Sequence, residues 1–389
     1  MRVGVNLLFL IPSEVGGTET HSIELLKAIC DHFPHVQLVL FTNRENHRTL
    51  LGIFDKYPQV EFSPLNFNAR FRPMRILREQ LELPFKVSVY DLDLLFSLGY
   101  TAPYFSSRPQ VLFIHDMQYK TFPGSFGWFA RKAMHALILM GAKRSTAVMT
   151  PSEFSKREVL KYTEAAPERI HVALHGTSDE FSRTSETKQK TERLYRIPGL
   201  KMPYILCVGF SHPQKNLPCL VYAFKEMLGE IPHQLVLVGG RSQGEKALAR
   251  ALKGLPVDRY LRLAGIPRGQ LVSLYHGADL FVLPTLYEGF GLPVLEAMKA
   301  EIPVITTRCG SIPEVAGEDV VYFDEKSPDY LKKKIREVLA WTPERRREHI
   351  QKARIRADRM TWKLAAEGTI QCFENVIGKS RQTPAQGSS

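Results

Sequence analysis

Cysteine is scarce in this chain. There are five in 389 residues (Cys30, Cys207, Cys219, Cys309 and Cys372), with no C-x-x-C pair. That scatter excludes a disulfide framework and suits a reducing compartment, so a cytoplasmic location is expected. Long hydrophobic runs are also missing, and no stretch reaches the roughly 20 apolar residues of a membrane-spanning helix. The apolar run from Met1-Arg2 to Ile11 imitates a secretory leader, but Asn6 interrupts it and no small-residue cleavage site follows. No G-x-G-x-x-G follows the first strand pattern and no G-x-x-x-x-G-K-[ST] occurs, which argues against a nicotinamide, flavin or P-loop site. His171 and His175 stand four apart but straddle a strand end, so no metal site is expected. No internal repeat is visible.

What remains is ordinary globular material, 44% hydrophobic and 24% charged, long enough for two domains. Short β-rich runs alternate with amphipathic helical stretches, the pattern of parallel sheets covered by helices. In the first half, strands are expected at 2–9, 36–42, 92–97, 110–115 and 146–150. Helices are expected at 17–31, 73–88, 126–142 and 152–162. In the second half, strands are expected at 204–209, 234–238, 260–264, 280–283, 303–306 and 320–323, with closing helices at 343–358 and 362–377. A polar, charged segment from Ser182 to Arg196 separates the two series. The expected division is therefore a first Rossmann-like domain at 1–196, a second at 203–360, a last helix at 361–379 and a disordered tail at 380–389. Two doubly wound domains imply a cleft, since open α/β sheets bind ligands beyond the carboxyl ends of their strands.

The densest chemical signal lies between Ala278 and Glu296, A-D-L-F-V-L-P-T-L-Y-E-G-F-G-L-P-V-L-E. A buried strand leads into a loop and then a helix starting near Pro293, a residue suited to a first helical turn. Gly289 and Gly291, around Phe290, let backbone N–H groups come close to a ligand. The helix start offers unsatisfied N–H groups and partial positive charge, a site for phosphate. Glu288 and Glu296 flank it in an E-x7-E spacing. Carboxylates repel phosphate, so they are better used accepting hydrogen bonds from sugar hydroxyls. A diphosphate between two sugars is a nucleotide-sugar.

These residues resemble the retaining glycosyltransferases of family 4, the glycosyl transferases group 1, which have the GT-B fold. The resemblance rests on Glu288-Gly289-Phe290-Gly291-Leu292-Pro293 with Glu296 and on Gly310-Ser311-Ile312-Pro313-Glu314. Further support comes from Val208-Gly209 with Lys215-Asn216 and from Gly16-Gly17 with Glu19. It covers nearly the whole chain, and it implies two Rossmann-like parallel-sheet domains facing a cleft. The last helix would cross back to the first domain. The first domain would bind the acceptor and the second the donor.

The resemblance also implies roles. Glu288 would contact hydroxyls of the transferred sugar; the plain alternative is a solvated loop carboxylate. Glu296 would bind the ribose hydroxyls; otherwise it is a helix-face acid paired with Lys299. Lys215 would contact the diphosphate, and a lysine at a helix start is otherwise disfavoured by the dipole. Many relatives carry an arginine near this lysine, where this chain has Phe210 and Gln214; Arg241 is a candidate replacement. His115, followed by Asp116, would sit near donor sugar and acceptor, against the reading of a loop histidine beside a capping acid. Gly16, Gly17, Gly209, Gly289, Phe290, Gly291, Leu292 and Glu314 would line the donor site. Taken alone, the glycine pair is an ordinary turn and Glu314 an ordinary first-turn acid. No cofactor and no metal are required on this reading. Mannose from a guanosine donor is a common use of the His-Asp variant.

The net charge is +12. Basic residues gather at Arg70, Arg72, Arg75 and Arg78 and at Arg131, Lys132, Lys143 and Arg144, alongside Phe67, Phe71, Phe126, Trp128 and Phe129. Such a surface suits peripheral contact with an anionic membrane and a lipid-linked saccharide acceptor; a solvated basic face is the alternative. Arg345-Arg346-Arg347 reads as solvent-exposed. Two rival functions stand beside the transferase. A nucleotide-sugar isomerase on the same plan would need an acid/base pair and no acceptor. A nucleic-acid binder would need aromatic platforms on an exposed sheet, and these sheets read as buried, so no nucleic-acid partner is expected.

Overall fold

The structure, a computed structural model, describes residues 1–123, 127–183, 197–323 and 327–382. The chain divides into two units, one formed by Met1–Gly176 with Trp362–Ser389 and the other by Thr177–Thr361. This division falls before the polar segment where the sequence suggested it, because Thr177 already pairs with Thr361 and with the Met360 carbonyl of the second unit. Residues 184–196 of that segment lie outside the described residues, as do Phe126 and positions 383–389 of the expected tail.

The first unit holds β1 (Arg2–Asn6), β2 (Gln37–Thr42), β3 (Val60–Pro64), β4 (Leu94–Ser97), β5 (Gln110–Phe113), β6 (Ala147–Thr150) and β7 (Ile170–Val172). They form one sheet in the order β3-β2-β1-β4-β5-β6-β7, and every pairing is parallel. Strands β3 and β7 were not foreseen. Both are edge strands. One carries exposed Glu61 and Pro64 and the other is three residues long, so neither has the continuous apolar run of a central parallel strand. The sheet buries Val39, Phe41, Leu95 and Leu112 under helices. The helix Trp362–Gln382 packs along Gly17–His32 within this unit. Its Phe373 meets Phe96 edge-on with ring centroids 4.9 Å apart.

The second unit holds β8 (Tyr204–Val208), β9 (Gln234–Val238), β10 (Tyr260–Leu263), β11 (Leu280–Leu283), β12 (Val304–Thr306) and β13 (Val321–Tyr322). Their order is β10-β9-β8-β11-β12-β13, again all parallel. All six were legible as short aliphatic runs. In both sheets the order reverses once, between β1 and β4 and between β8 and β11. Ligands of doubly wound sheets bind at the carboxyl ends beside such a switch. The loops after β1, β8 and β11, where the motif residues lie, are therefore placed by topology.

Candidate active site

The second unit brings the densest motif residues together. β8 and β11 are neighbours, with Phe281 opposite Leu206, so their following loops emerge side by side. They are tied: the Gln214 carbonyl accepts hydrogen bonds from the Leu286 amide at 2.7 Å and the Thr285 hydroxyl at 3.0 Å. Between them Lys215 Nζ lies 2.6 Å from Glu288 Oε1, with the two side chains only 16% and 9% exposed. Lys215 ends a short 3₁₀ turn, Pro213–Lys215, and Asn216 adopts a left-handed conformation that starts the helix Leu217–Lys225.

The backbone of Glu288 is held from the other side. Its carbonyl accepts from both the amide and the hydroxyl of Ser311, each at 3.0 Å. Gly310 passes so close that a Cβ there would lie 2.3 Å from the Glu288 carbonyl oxygen, at a φ of +63°. Only glycine meets both conditions. Gly291, at φ +96°, is the N-cap of the helix Leu292–Lys299 and makes no side-chain cap bond to it, and Pro293 sits in its first turn. The positive end of this helix thus lies a few residues beyond Glu288 in the loop, with a glycine rather than a capping side chain at its N-cap. Gly289, Phe290 and Leu292 are buried there.

Glu296 is buried one turn into that helix and accepts a 2.8 Å hydrogen bond from the Tyr275 hydroxyl. Burial, then the Glu296 charge, push the Tyr275 hydroxyl well above its ordinary range, so it remains a donor. Tyr275 escaped the sequence reading because it comes from a neighbouring helix, Arg268–Gly277, whose pattern marks it only as core. Lys299 pairs with Asp358 at 2.7 Å and Asp179 at 3.1 Å. Glu314 is half-buried in Ile312–Ala316, and its carbonyl accepts from Arg356 at 3.0 Å. Gly209 follows β8, and Gly239 comes so near that a Cβ on it would lie 2.1 Å from the Gly209 oxygen. Arg241 is 82% exposed and lies 4.0 Å from Glu245.

In the first unit Gly16 adopts φ +59° and Gly17 opens the helix Gly17–His32. Glu19, in its first turn, accepts from the Ser13 amide at 2.7 Å; burial raises its pKa, partly offset by that bond. His115 follows β5 and is buried, its Nε2 2.9 Å from the Leu98 carbonyl. Since a carbonyl can only accept, that nitrogen carries the proton. Burial pulls the His115 pKa down to about 4, against a smaller upward effect of the Leu98 bond. His21 and His175 share its surroundings, at ring centroids 4.9 and 5.9 Å from it. Burial lowers both pKa values well below the usual range, with neighbouring histidines adding to the effect. Sequence spacing did not reveal this group, because the three come from a helix and two separate strand ends.

The basic-aromatic surface is rearranged from expectation. Phe67 is buried with Leu65 and Ala69 and is no part of a surface. Arg70 pairs with Glu14 at 2.6 Å, Arg78 pairs with Glu82, and Arg75 is half-buried near Glu79. A stripe unremarked in the sequence takes their place: Leu77, Leu81, Phe85 and Val89, four apart and all exposed, with Phe71 beside them. They ride on one helical segment with a π turn at Arg78–Glu82. Trp128 and Phe129 are exposed, with Lys132 4.0 Å over the Trp128 ring. Arg346 turns inward to the Asp279 carbonyl, whereas Arg345 and Arg347 stay exposed. No helix among the described residues is long and apolar enough to cross a membrane.

Solved structures share this two-unit plan. Sucrose-phosphate synthase from Thermosynechococcus elongatus superposes with a TM-score of 0.76 at 17% identity, over 97% of this chain and 100% of that one. HepE from Anabaena, solved with UDP and glucose, gives 0.75 at 18% identity over 96% and 100%. These define a GT-B fold. Residues 15–181 match Glycosyltransferase Family 4 and residues 193–356 match the glycosyl transferases group 1. The chain therefore belongs to the group 1 glycosyltransferases. The serotype-specific mannosyltransferase WbdA of Escherichia coli is 27% identical over 258 residues, covering 62% of this chain and 30% of that protein. The O-antigen chain mannosyltransferase B of Escherichia coli is 28% identical over 236 residues, covering 58% and 60%. The match thus spans less than two thirds of either relative.

Proposed function

We propose that this protein transfers a hexosyl unit from a nucleotide-sugar to a hydroxyl of a saccharide acceptor, with retention, in polysaccharide or lipopolysaccharide synthesis. The observation that carries this reading is the Lys215–Glu288 pair beside the uncapped start of Leu292–Lys299. A cation and a helix dipole converge where a diphosphate leaving group needs them. Glu288 then turns to the sugar hydroxyls once phosphate takes Lys215. Glu296, supported by Tyr275, accepts from the ribose. The acceptor oxygen bonds to the anomeric carbon as the bond to phosphate breaks on the same face. The acceptor proton passes to the departing phosphate oxygen. Lys215 and the loop amides hold the leaving charge, so no metal is needed at this end. His115 is assigned a contact with sugar and acceptor by the family resemblance alone. Mannose is favoured as the donor sugar by the mannosyltransferase relatives.

The test is a thermal-shift screen of nucleotide-sugars, since a ligand at about one hundred times its dissociation constant adds roughly 2.7 kcal/mol. No stabilisation by any of them sinks the reading. Incubating donor without acceptor separates an isomerase, which would give an epimer. The exposed stripe from Leu77 to Val89, with Trp128, Phe129 and Lys132, supports peripheral docking on an anionic membrane carrying a lipid-linked acceptor. Equal sedimentation with neutral and anionic liposomes removes that part.

A further inference from the structure

The geometry points to a transition-metal site of the zinc class in the first unit, formed by His21, His115 and His175. One nitrogen from each lies within 4.8 Å of the others, and all three residues are buried. Ring centroids stand 4.2 Å apart for His21–His175 and 4.9 Å for His21–His115. Three nitrogens on one tetrahedral zinc, at about 2.0–2.1 Å from it, stand roughly 3.4 Å apart. Closing the group around an ion thus takes shifts on the order of an ångström.

Two further observations favour a metal over a plain aromatic core. Buried polar atoms are nearly always partnered, yet His21 Nδ1 has no hydrogen-bond partner among the described residues. The Nε2–H of His115 is held by the Leu98 carbonyl, so its lone pair is on Nδ1; a backbone carbonyl on the second ring nitrogen is the usual support of a ligating histidine. An all-imidazole set suits first-row transition metals such as zinc, copper, iron or nickel rather than magnesium or calcium, which take oxygen. It leaves a fourth position for water or an anion. On the reading of His115 as a sugar contact, metal binding withdraws that residue, so occupancy opposes transfer.

The experiment uses untagged, chelator-stripped full-length protein and Co²⁺, then Zn²⁺. About one Co²⁺ per chain with visible d–d bands of a tetrahedral centre is expected, displaced by Zn²⁺. His21→Ala and His175→Gln should each weaken binding by at least ~10-fold while keeping the far-UV circular dichroism of the parent. No retained ion in the parent, or retention unchanged in both variants, overturns the site. Zn²⁺ should inhibit transfer by the parent and spare His21→Ala. Binding without inhibition keeps the site and overturns only the sugar role of His115.

Discussion

Lys215 and Glu288, 73 residues apart, meet through a 2.6 Å contact at the carboxyl ends of two adjacent strands. Neither is well solvated, so each satisfies the other until a ligand arrives. On the proposed function, a donor phosphate entering this site would exchange one anionic partner of Lys215 for another and free Glu288. The pair would then act as a switch between the empty and the proposed donor-bound arrangements.

Removing either partner should therefore act twice. Lys215→Ala strands a nearly buried carboxylate and removes the leaving-group cation. A loss of about 10²–10³-fold in kcat is expected, together with a lowered thermal midpoint. The double variant Lys215→Met/Glu288→Gln should recover much of the stability and none of the activity. Steady-state kinetics with calorimetric melting checks both; recovered activity in the double variant would contradict the assignment.

Glu296 and Tyr275 should affect nucleotide binding separately from the pair. Hydrogen bonds to an ionised carboxylate contribute about 1.5–3 kcal/mol, so Glu296→Gln should raise the Kd for the matching nucleoside diphosphate by roughly 10- to 100-fold. Tyr275→Phe removes only the supporting hydroxyl, and an increase of at most about 10-fold is expected. Titration calorimetry showing equal affinity for all three proteins would remove Glu296 from the site.

Gly310 tests the backbone side. Gly310→Ala puts a methyl group 2.3 Å from the Glu288 carbonyl oxygen at a positive φ. A cost of about 1–3 kcal/mol and weaker donor binding are expected. Gly269→Ala, where nothing lies within 4 Å in the helix Arg268–Gly277, should instead be neutral or stabilising by about 0.5–1 kcal/mol. Equal melting of the two variants would show that the close approach is unimportant.

A pH dependence follows from Glu79, which the π turn directs inward. Its carboxylate accepts from Asn6 at 2.8 Å and from Thr101 at 2.7 and 3.0 Å. Burial nonetheless raises its pKa above the ordinary 4.5, with Arg75 and those bonds opposing. The folded state then holds this proton more tightly than the unfolded one. Its contribution to stability is complete below pH 4.5 and declines as the pH rises through the folded value. Glu79→Gln should flatten that decline and melt no lower than the parent at pH 7.5. Urea unfolding at pH 4.5, 6 and 7.5 measures it, and parallel curves for both proteins would refute the burial effect.

Much of this protein was readable in one dimension. Central strands such as Gln37–Thr42 and Leu280–Leu283 are short aliphatic runs because both faces of a parallel sheet are buried. The E-x7-E segment shows its chemistry because its glycines, proline and carboxylates are local to one loop and one helix start. Other features exist only once the sheets close. Tyr275 reaches Glu296 from another helix, and Ser311 clamps the Glu288 carbonyl across 23 residues. The π turn sends Glu79 inward while leaving Leu77, Leu81, Phe85 and Val89 outside. His21, His115 and His175 converge because a helix start, β5 and β7 bring them to one end of the first unit. Local spacing encodes what a loop or one helix face can do. Contacts between distant segments depend on strand order and register, and those are settled by packing the whole sheet.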